Sequence, residues 1–360
     1  MKKTVISSML LMLLFGMCNS HAQWVRTDGP YGGNIRALSI NEEYIFAGTF
    51  EDGIFLSIDE GATWTEVNNG LDGKKVRSFA ISGANILAGT MSGLFTSADN
   101  GANWINVMMG STNPDIRSFA ISGDNIFAAT WYDGVFLSTD DGSSWTAVNN
   151  GLPDRSGDKS LAVSGNNIFV GIQDSYGGVY LSTDNGSSWT AVNNGFPLKS
   201  VTSLAIQGEN IFAGIRPLGN NGGIYLSTDN GSSWNAVNSG LTNLNVESFT
   251  VSGDHVFAGT EGGGVFLSTD NGASWNAVNS GLMNLDIRSL AVSGDNIFAG
   301  TEGGGVYLSK DNGSSWNVRS SGLMLLNVYS FAVSGNDVFA GTHSNGVYLS
   351  ADNGSSWNAV

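Results

Sequence analysis

Residues 284–317 read NLDIRSLAVSGDNIFAGTEGGGVYLSKDNGSSWN, and most of the chain consists of close copies of this stretch. Short apolar runs alternate in it with turns rich in Gly, Asn, Asp and Ser, which is the pattern of short β-strands joined by tight turns. Runs such as Ile297-Phe298-Ala299 are apolar at consecutive positions, so we expect both faces of these strands to be covered. The stretch predicts four strands, at 287–292, 296–301 and 305–309 and from Trp316 onward.

The most regular part of the repeat is the motif Ser-x-Asp-x-Gly-x-x-Trp, which we call the Ser–Asp–Trp motif. Its successive tryptophans are 40 to 45 residues apart, and a fixed period of that length indicates a repeat architecture. The motif occurs eight times, ending at Trp64, Trp104, Trp145, Trp189, Trp234, Trp275, Trp316 and Trp357.

A four-stranded sheet of about 40 residues that is covered on both faces by copies of itself is the blade of a β-propeller. A parallel β-helix also repeats, but its coils are shorter and contain no four-stranded antiparallel meander. The sequence therefore predicts an all-β fold, a single propeller of about eight four-stranded antiparallel blades over residues 23–360. Seven blades remain the alternative.

The Ser–Asp–Trp motif has a structural role that requires no ligand. Its Asp can accept hydrogen bonds from the backbone of the following turn, its Gly permits positive φ, and its Trp can pack beneath the hairpin. Calcium is the alternative, but one Asp per turn supplies too few oxygens for a shell of six to eight ligands. We therefore expect no metal and no cofactor.

This motif carries a family resemblance, which is clearest in Ser57-Ile58-Asp59-Glu60-Gly61-Ala62-Thr63-Trp64. It resembles the Asp-box, or BNR repeat, of sialidases, xyloglucanases, sortilin-type receptors and photosystem II assembly-factor propellers. The resemblance spans residues 24–360 and implies the propeller fold. It says little about function, because that group contains both glycosidases and binding proteins.

The amino terminus has the features of a secretory signal peptide. Lys2 and Lys3 precede an apolar run, 5–17, that is too short to span a bilayer. Ser20-His21-Ala22 places small residues at the positions that signal peptidase reads, so we expect a signal peptide at 1–22 and cleavage before Gln23. The mature protein is then expected outside the cell or at its surface, with the bacterial periplasm as an alternative.

Composition excludes several classes of function. Cys18 leaves a lipoprotein as an alternative, although Met17 stands where lipoprotein processing requires a small residue. After cleavage the chain contains no cysteine, which excludes disulfides and thiolate chemistry.

Without the two signal lysines, 13 basic residues remain against 31 acidic ones, a net charge of −18. Nucleic acid and anionic membrane surfaces are therefore poor partners, and no membrane insertion is expected after cleavage.

The two ends of the chain compete for one place in the fold. Trp24-Val25-Arg26 matches the start of a fourth strand without the three strands before it, and Trp357 opens another fourth strand at the carboxyl end. We expect the amino-terminal segment, Gln23 to Thr27, to complete the last blade and close the ring.

A binding site should lie where the repeat is broken, because a residue that is present in every blade is expected to stabilise the blade rather than to bind a ligand. The connections between second and third strands vary most, and they share one face with the connections between blades. Each blade contributes one residue at the start of its first strand, and together these residues predict a partly basic ring around the channel. They are Arg36, Arg77, Arg117, Lys159, Thr202, Glu247, Arg288 and Tyr329. The predicted ligand-binding residues are Arg36, Arg77, Arg117, Arg288, Trp131, Tyr132, Tyr176 and Arg216. The alternative is that these arginines only pair with acidic residues such as Asp115 and Asp286.

No catalytic residue is assigned. A glycosidase requires two carboxyl groups at a defined separation, and neither such a pair nor the tyrosine–glutamate pair of sialidases can be located. His255 has the position of a turn residue, and His343 lies in a connection from which it can touch a ligand. We therefore expect a non-catalytic secreted propeller that binds a glycan or a protein with acidic character. A glycoside hydrolase is the alternative, followed by a structural or assembly role.

Overall fold

The computed structural model describes residues 34–41, 44–58, 64–71, 75–110, 113–153, 157–174, 177–197, 200–216, 222–293, 295–318, 327–335, 337–343, 345–352, 354 and 356–359. The expected signal peptide at 1–22, the segment Gln23 to Thr27 and Tyr176 lie outside these residues. Within the described part of the chain no helix has the length and apolar character that a membrane crossing requires.

The first four blades follow one another along the chain, each a four-stranded antiparallel sheet in chain order. Blade 1 contains β1 (Ile35–Asn41), β2 (Tyr44–Thr49), β3 (Ile54–Ser57) and β4 (Thr65–Glu66). Blade 2 contains β5 (Val76–Ser82), β6 (Asn85–Thr90), β7 (Gly93–Ser97) and β8 (Ile105–Val107). Blade 3 contains β9 (Ile116–Ser122), β10 (Asn125–Thr130), β11 (Val135–Ser138) and β12 (Thr146–Ala147). Blade 4 contains β13 (Asp158–Ser164), β14 (Asn167–Gln173), β15 (Gly178–Ser182) and β16 (Thr190–Ala191).

The other four blades have the same order of strands. Blade 5 contains β17 (Val201–Gln207), β18 (Asn210–Ile215), β19 (Gly223–Ser227) and β20 (Asn235–Ala236). Blade 6 contains β21 (Val246–Ser252), β22 (His255–Thr260), β23 (Gly264–Ser268) and β24 (Asn276–Ala277). Blade 7 contains β25 (Ile287–Ser293), β26 (Asn296–Thr301), β27 (Val306–Ser309) and β28 (Asn317–Val318). Blade 8 contains β29 (Val328–Ser334), β30 (Asp337–Thr342), β31 (Val347–Ser350) and β32 (Asn358–Ala359).

These sheets form a closed ring of eight blades, which confirms the predicted propeller and removes the seven-bladed alternative. Each first strand contacts the first strand of the next blade, and β29 contacts β1. Within the described residues the carboxy-terminal strand β32 is the outer strand of the last blade, since Tyr348 of β31 pairs with Ala359. The expectation that Gln23 to Thr27 complete this blade falls on residues outside those described.

The hydrophobic core lies between neighbouring blades rather than within one sheet. One core cluster combines Phe212 and Ile224 of blade 5 with Val246, Val256 and Trp275 of blade 6. The second strands are buried at five consecutive positions, as their consecutive apolar residues predicted. Close packing explains a repeated glycine, because a Cβ at Gly48 would stand 2.5 Å from Cγ1 of Val76 in the next blade.

The Ser–Asp–Trp motif forms the hairpin between third and fourth strands. In blade 4, Asp184 accepts hydrogen bonds from the Ser182 hydroxyl at 2.8 Å and from the Ser188 N–H at 2.9 Å. The Gly186 N–H donates to the Ser182 hydroxyl oxygen at 2.7 Å. Both central residues of the turn have positive φ, 53° at Asn185 and 83° at Gly186. The predicted roles of the Asp and the Gly are therefore confirmed.

The motif tryptophan also joins its own blade to the preceding one. Trp275 is 1% exposed, and its indole N–H donates to the carbonyl of Val237 at 2.7 Å. Its backbone N–H donates to the carbonyl of Ser239 at 2.8 Å. The indoles of Trp104, Trp189, Trp234 and Trp316 make the same bond to a valine of the previous blade.

Replacing Trp275 with Ala should lower the free energy of unfolding by about 3–5 kcal/mol, because a buried ring is lost and a cavity remains. Chemical denaturation of the variant measures this loss. Ile105→Ala, which truncates an exposed side chain, is the control. An unchanged midpoint for Trp275→Ala would contradict the burial of the indole.

The motif aspartates should make the fold sensitive to acid. The hydrogen bond from the Ser188 side chain, followed by the Ser188 N–H and the Ser182 hydroxyl, lowers the pKa of Asp184 below its ordinary value of 3.8. Asp229 and Asp270 have pKa values lowered in the same way by Ser233 and Ser274.

Because the folded-state pKa lies below the unfolded one, the stabilisation is present above about pH 4 and disappears as the pH falls through the folded-state pKa. A variant with Asn at positions 184, 229 and 270 should be less stable at neutral pH and lose less stability on acidification. Urea unfolding between about pH 5 and pH 2 measures both effects. Equal pH dependence in the two proteins would refute this role.

Candidate functional site

One face of the propeller carries the connections between second and third strands together with those between blades. We call it the upper face, and the lower face carries the Ser–Asp–Trp hairpins. First strands begin at the upper face beside the channel, so their first residues surround the channel mouth.

A β-bulge at the start of the first strand determines which residues line this mouth. In seven blades the register between first and second strands shifts, so that one extra residue stands opposite the end of the second strand. In blade 2, for example, Val76 pairs with Thr90 and Ser78 with Gly89, which leaves Arg77 as the extra residue. These half-buried residues form what we call the bulge ring, which consists of Arg36, Arg77, Arg117, Thr202, Glu247, Arg288 and Tyr329.

Blade 4 departs from this arrangement, and the expectation that Lys159 belongs to the ring is wrong. Its first strand has no register shift, and Lys159 pairs with Ile172. Lys159 is only 3% exposed, and its Nζ donates to the carbonyls of Thr130 at 2.7 Å and Trp131 at 3.1 Å. The lysine therefore fixes the connection of blade 3 from below instead of facing the channel mouth.

A second ring surrounds the first. The residue after the second strand donates its backbone N–H to the carbonyl of a residue just before the first strand, as Trp131 does to Asp115 at 2.9 Å. Its side chain varies from blade to blade although the rest of the repeat is nearly constant. This connection ring consists of Phe50, Met91, Trp131, Arg216, Glu261, Glu302 and His343.

On one side of the mouth, arginines and aromatic rings alternate. The Cζ atom of Arg36 lies 4.7 Å from the ring centroid of Tyr329, and the Cζ atom of Arg77 lies 5.3 Å from that of Phe50. The Cζ atom of Arg117 lies 4.0 Å from the ring centroid of Trp131. These groups form what we call the stacked band, which consists of Arg36, Phe50, Arg77, Asp115, Arg117, Trp131 and Tyr329.

Asp115 joins two of the arginines in this band. Its carboxylate lies 3.4 Å from Nε of Arg77 and 2.8 Å from a terminal nitrogen of Arg117. The pairing with Asp115 that the sequence raised as an alternative is thus present. One carboxylate nevertheless faces two guanidinium groups, and Arg36 lies between the rings of Phe50 and Tyr329.

The other side of the mouth is an ion-paired cluster. Arg288 bonds to Glu302 and lies 3.6 Å from Glu261 and 3.9 Å from Glu247. Arg216 donates to Glu247 at 2.8 Å. Burial lowers the pKa of Arg288, but the hydrogen bond and charge of Glu302, with the charges of Glu261 and Glu247, raise it overall. The partners of Arg288 are these glutamates and not Asp286.

The predicted site residues therefore fall into two groups. Trp131 lies against Arg117, and Tyr132 is 67% exposed with its ring centroid 6.1 Å from that of Trp131. Arg216 instead belongs with Arg288 in the ion-paired cluster. The ring of His343 contacts that of Tyr329 in a tilted arrangement, with the centroids 5.7 Å apart, at the edge of the stacked band.

Phe50 is a site residue that sequence reasoning did not select. The available signal was variation at one position of the repeat, the position after the second strand, where Phe50 aligns with Trp131. In six blades that strand ends in a buried threonine, such as Thr130, whose hydroxyl donates to the carbonyl of Gly134 at 2.9 Å. Ile172 and Ile215 replace this threonine in blades 4 and 5, whose connections between the second and third strands are longer than those of the other blades.

Comparison with known proteins shows the family and the fold. The sequence model of a family described as the DUF6242 beta propeller domain matches residues 85–215 and 208–327, more than half of the chain. No curated protein matches the sequence.

Several solved structures are similar to this chain at low sequence identity. An ancestral GH74 enzyme is 20% identical over 93% of this chain and 55% of that one, with a TM-score of 0.63. YCF48 bound to D1 peptide is 15% identical over 91% and 95% of the two chains, with a TM-score of 0.59. The extracellular domain of BT4673 from B. thetaiotaomicron is 15% identical over 90% and 40%, with a TM-score of 0.57. Such identities show the fold alone.

Lys159→Met should loosen the connection of blade 3 and lower the free energy of unfolding by about 1–3 kcal/mol, because buried carbonyl groups lose a donor. Hydrogen exchange at residues 131–135 should become faster. Lys310→Met, at an exposed position on the lower face, is the control. Unchanged exchange at 131–135 would show that Lys159 does not hold the connection.

Proposed function

We propose that this chain, which belongs to the DUF6242 beta-propeller domain family, is a non-catalytic binding propeller that takes an acidic glycan or polypeptide on its upper face. The observation that carries this proposal is the stacked band. Three of its guanidinium groups lie against aromatic rings at the channel mouth, with Asp115 as the carboxylate within the band.

The geometry of the stacked band suits recognition of carboxylates. A guanidinium that packs its face against an aromatic ring keeps its N–H edge for hydrogen bonds, and this edge matches a carboxylate in a bidentate arrangement. The side chains of Arg77 and Arg117 are 21% and 13% exposed, so their orientation is fixed before a ligand arrives. Preorganised groups lose little entropy on binding.

The ion-paired cluster argues against a hydrolase. A glycoside hydrolase requires one protonated carboxyl group as acid and a second as base or nucleophile. The carboxylates of Glu247 and Glu302 instead act as acceptors in ion pairs with Arg216 and Arg288. The same cluster opposes acidic ligands on its side of the mouth and directs them to the stacked band.

Two further features belong to the proposal. The Ser–Asp–Trp motif is assigned to the Asp-box type, supported by the bonding of Asp184 and by the positive φ of Asn185. Secretion is supported by the signal-peptide features of residues 1–22.

Arrays of acidic glycans and acidic peptides, with neutral counterparts, test the proposal. The double variant Arg77→Gln with Arg117→Gln should weaken binding of an acidic ligand by about 10- to 100-fold, since each charge-assisted bond contributes about 1.5–3 kcal/mol. Added salt should weaken the wild-type complex. Asp115→Asn should strengthen it, because the internal competitor for the arginines loses its charge.

The pair Ser232→Arg with Ser314→Arg on the lower face is the control, and it should leave binding unchanged. Loss of binding in this pair, with full binding in the arginine variant, would place the ligand on the opposite face. Turnover of sialoside or xyloglucan substrates would overturn the non-catalytic assignment.

A further inference from the structure

A pocket of about 500 Å³ opens on the upper face between blades 2 and 3. This volume is within the usual range for a binding pocket. Its walls are of mixed character, with an apolar side and a polar side, and it adjoins Trp131 of the stacked band through the neighbouring residue Tyr132. The apolar side consists of Met109, Phe136, Ala147, Leu152, Pro153 and the ring of Tyr132, and the polar side includes Asp133 and Asn149.

The pocket lies where blade 2 departs from the repeat. Blades 1, 3, 4, 5 and 6 carry asparagine at the position of Met108, and this asparagine anchors the connection of its own blade. In blade 3 the Asn149 Oδ1 accepts from the Val135 N–H at 2.7 Å, and its Nδ2 donates to the Asp133 carbonyl at 2.9 Å. In blade 2 the connection between the second and third strands is one residue shorter than in blade 3. The Thr90 hydroxyl closes this connection by donating to the Gly93 carbonyl at 2.9 Å.

Two methionines therefore replace polar residues at the blade 2–blade 3 junction. Met108 is 53% exposed, whereas Met109 is fully buried beneath the pocket. Tyr132 at the pocket wall is 67% exposed. Folding does not require large apolar side chains at such exposed positions, and methionine adapts its shape to apolar groups of a partner.

The distance to the stacked band determines what a ligand can reach. The ring centroid of Tyr132 is 6.1 Å from that of Trp131, which is 4.0 Å from Cζ of Arg117, so Arg117 lies within about 10 Å of the Tyr132 ring. An extended peptide advances about 3.3–3.6 Å per residue, so about three residues cover this distance.

Resting on the proposed function, we propose that the ligand is an acidic polypeptide segment with a large apolar side chain in this pocket. A carboxylate about three residues away along the segment binds Arg117 and Arg77. Met109, Phe136, Leu152 and Pro153 present thioether, aromatic and aliphatic surface, which complements an apolar side chain. The exposed Met108 and the buried Met109 at this junction favour an apolar side chain over a sugar ring, which presents hydroxyl groups to its partners.

Selection of a random library of linear 12-residue peptides on the purified protein tests this inference. Enriched sequences should carry Asp or Glu two to four positions from Leu, Ile, Met, Phe or Tyr. A fluorescent peptide of the most enriched sequence then serves as the probe for titrations.

Ala147→Trp fills the pocket from an exposed position and should weaken that peptide by about tenfold or more, as expected for loss of a buried anchor. Ala277→Trp is the matched control, because Ala277 has the same exposed position in blade 6. It should change affinity by less than about twofold. Thermal unfolding should show that both variants remain folded.

The outcomes separate the two levels of the proposal. If the arginine double variant weakens the peptide and Ala147→Trp does not, the pocket assignment is overturned while the stacked band stands. Selection of acidic sequences without an apolar residue, or binding of acidic glycans alone, also overturns it. If neither variant weakens the peptide, both the pocket and the proposed function fail.

Discussion

The structure depends on the contacts between a motif tryptophan and the blade before it, which include an indole hydrogen bond for Trp104, Trp189, Trp234, Trp275 and Trp316. The indole and the backbone N–H of Trp275 bond to the carbonyls of Val237 and Ser239, while its ring fills the core between the two blades. The motif that closes a hairpin thus also connects the blades. The repeated motif lies on the lower face, where a change of sequence would disturb the fold. The sequence can therefore vary more freely on the upper face.

Packing between blades imposes a second constraint, and its exception lies next to the candidate site. Most second strands carry a glycine such as Gly48, against which a valine or isoleucine of the next blade packs. Blade 3 has Ala129 at this position, and the next blade brings Lys159 instead of an aliphatic residue. The lysine bonds to backbone carbonyls beneath Trp131, so the altered packing orders one connection of the upper face.

Much of this arrangement could be predicted from the sequence, because turns and strands depend on local residues. The eight blades, the hairpin role of Asp184 and the arginines of the mouth all followed from the repeat. Lys159 was misplaced because it was aligned with the bulge residues, although Asp158 precedes it where the other blades have Val or Ile, and this change accompanies the loss of the bulge. Arg216 was grouped with the aromatic residues because its partner, Glu247, belongs to the next blade. Phe50 was missed because a single aromatic residue in a connection carries no pattern of its own.

The central claim is that ligands bind where the repeat is broken, on the upper face of blades 1 to 3. Hydrogen exchange measured by mass spectrometry, with and without a bound peptide, tests it most directly. The account predicts slower exchange at residues 50–53, 108–110 and 131–135, with no change at the matching positions of blades 6 and 7. Slower exchange at the Ser–Asp–Trp hairpins, or equal protection in all eight blades, would contradict it.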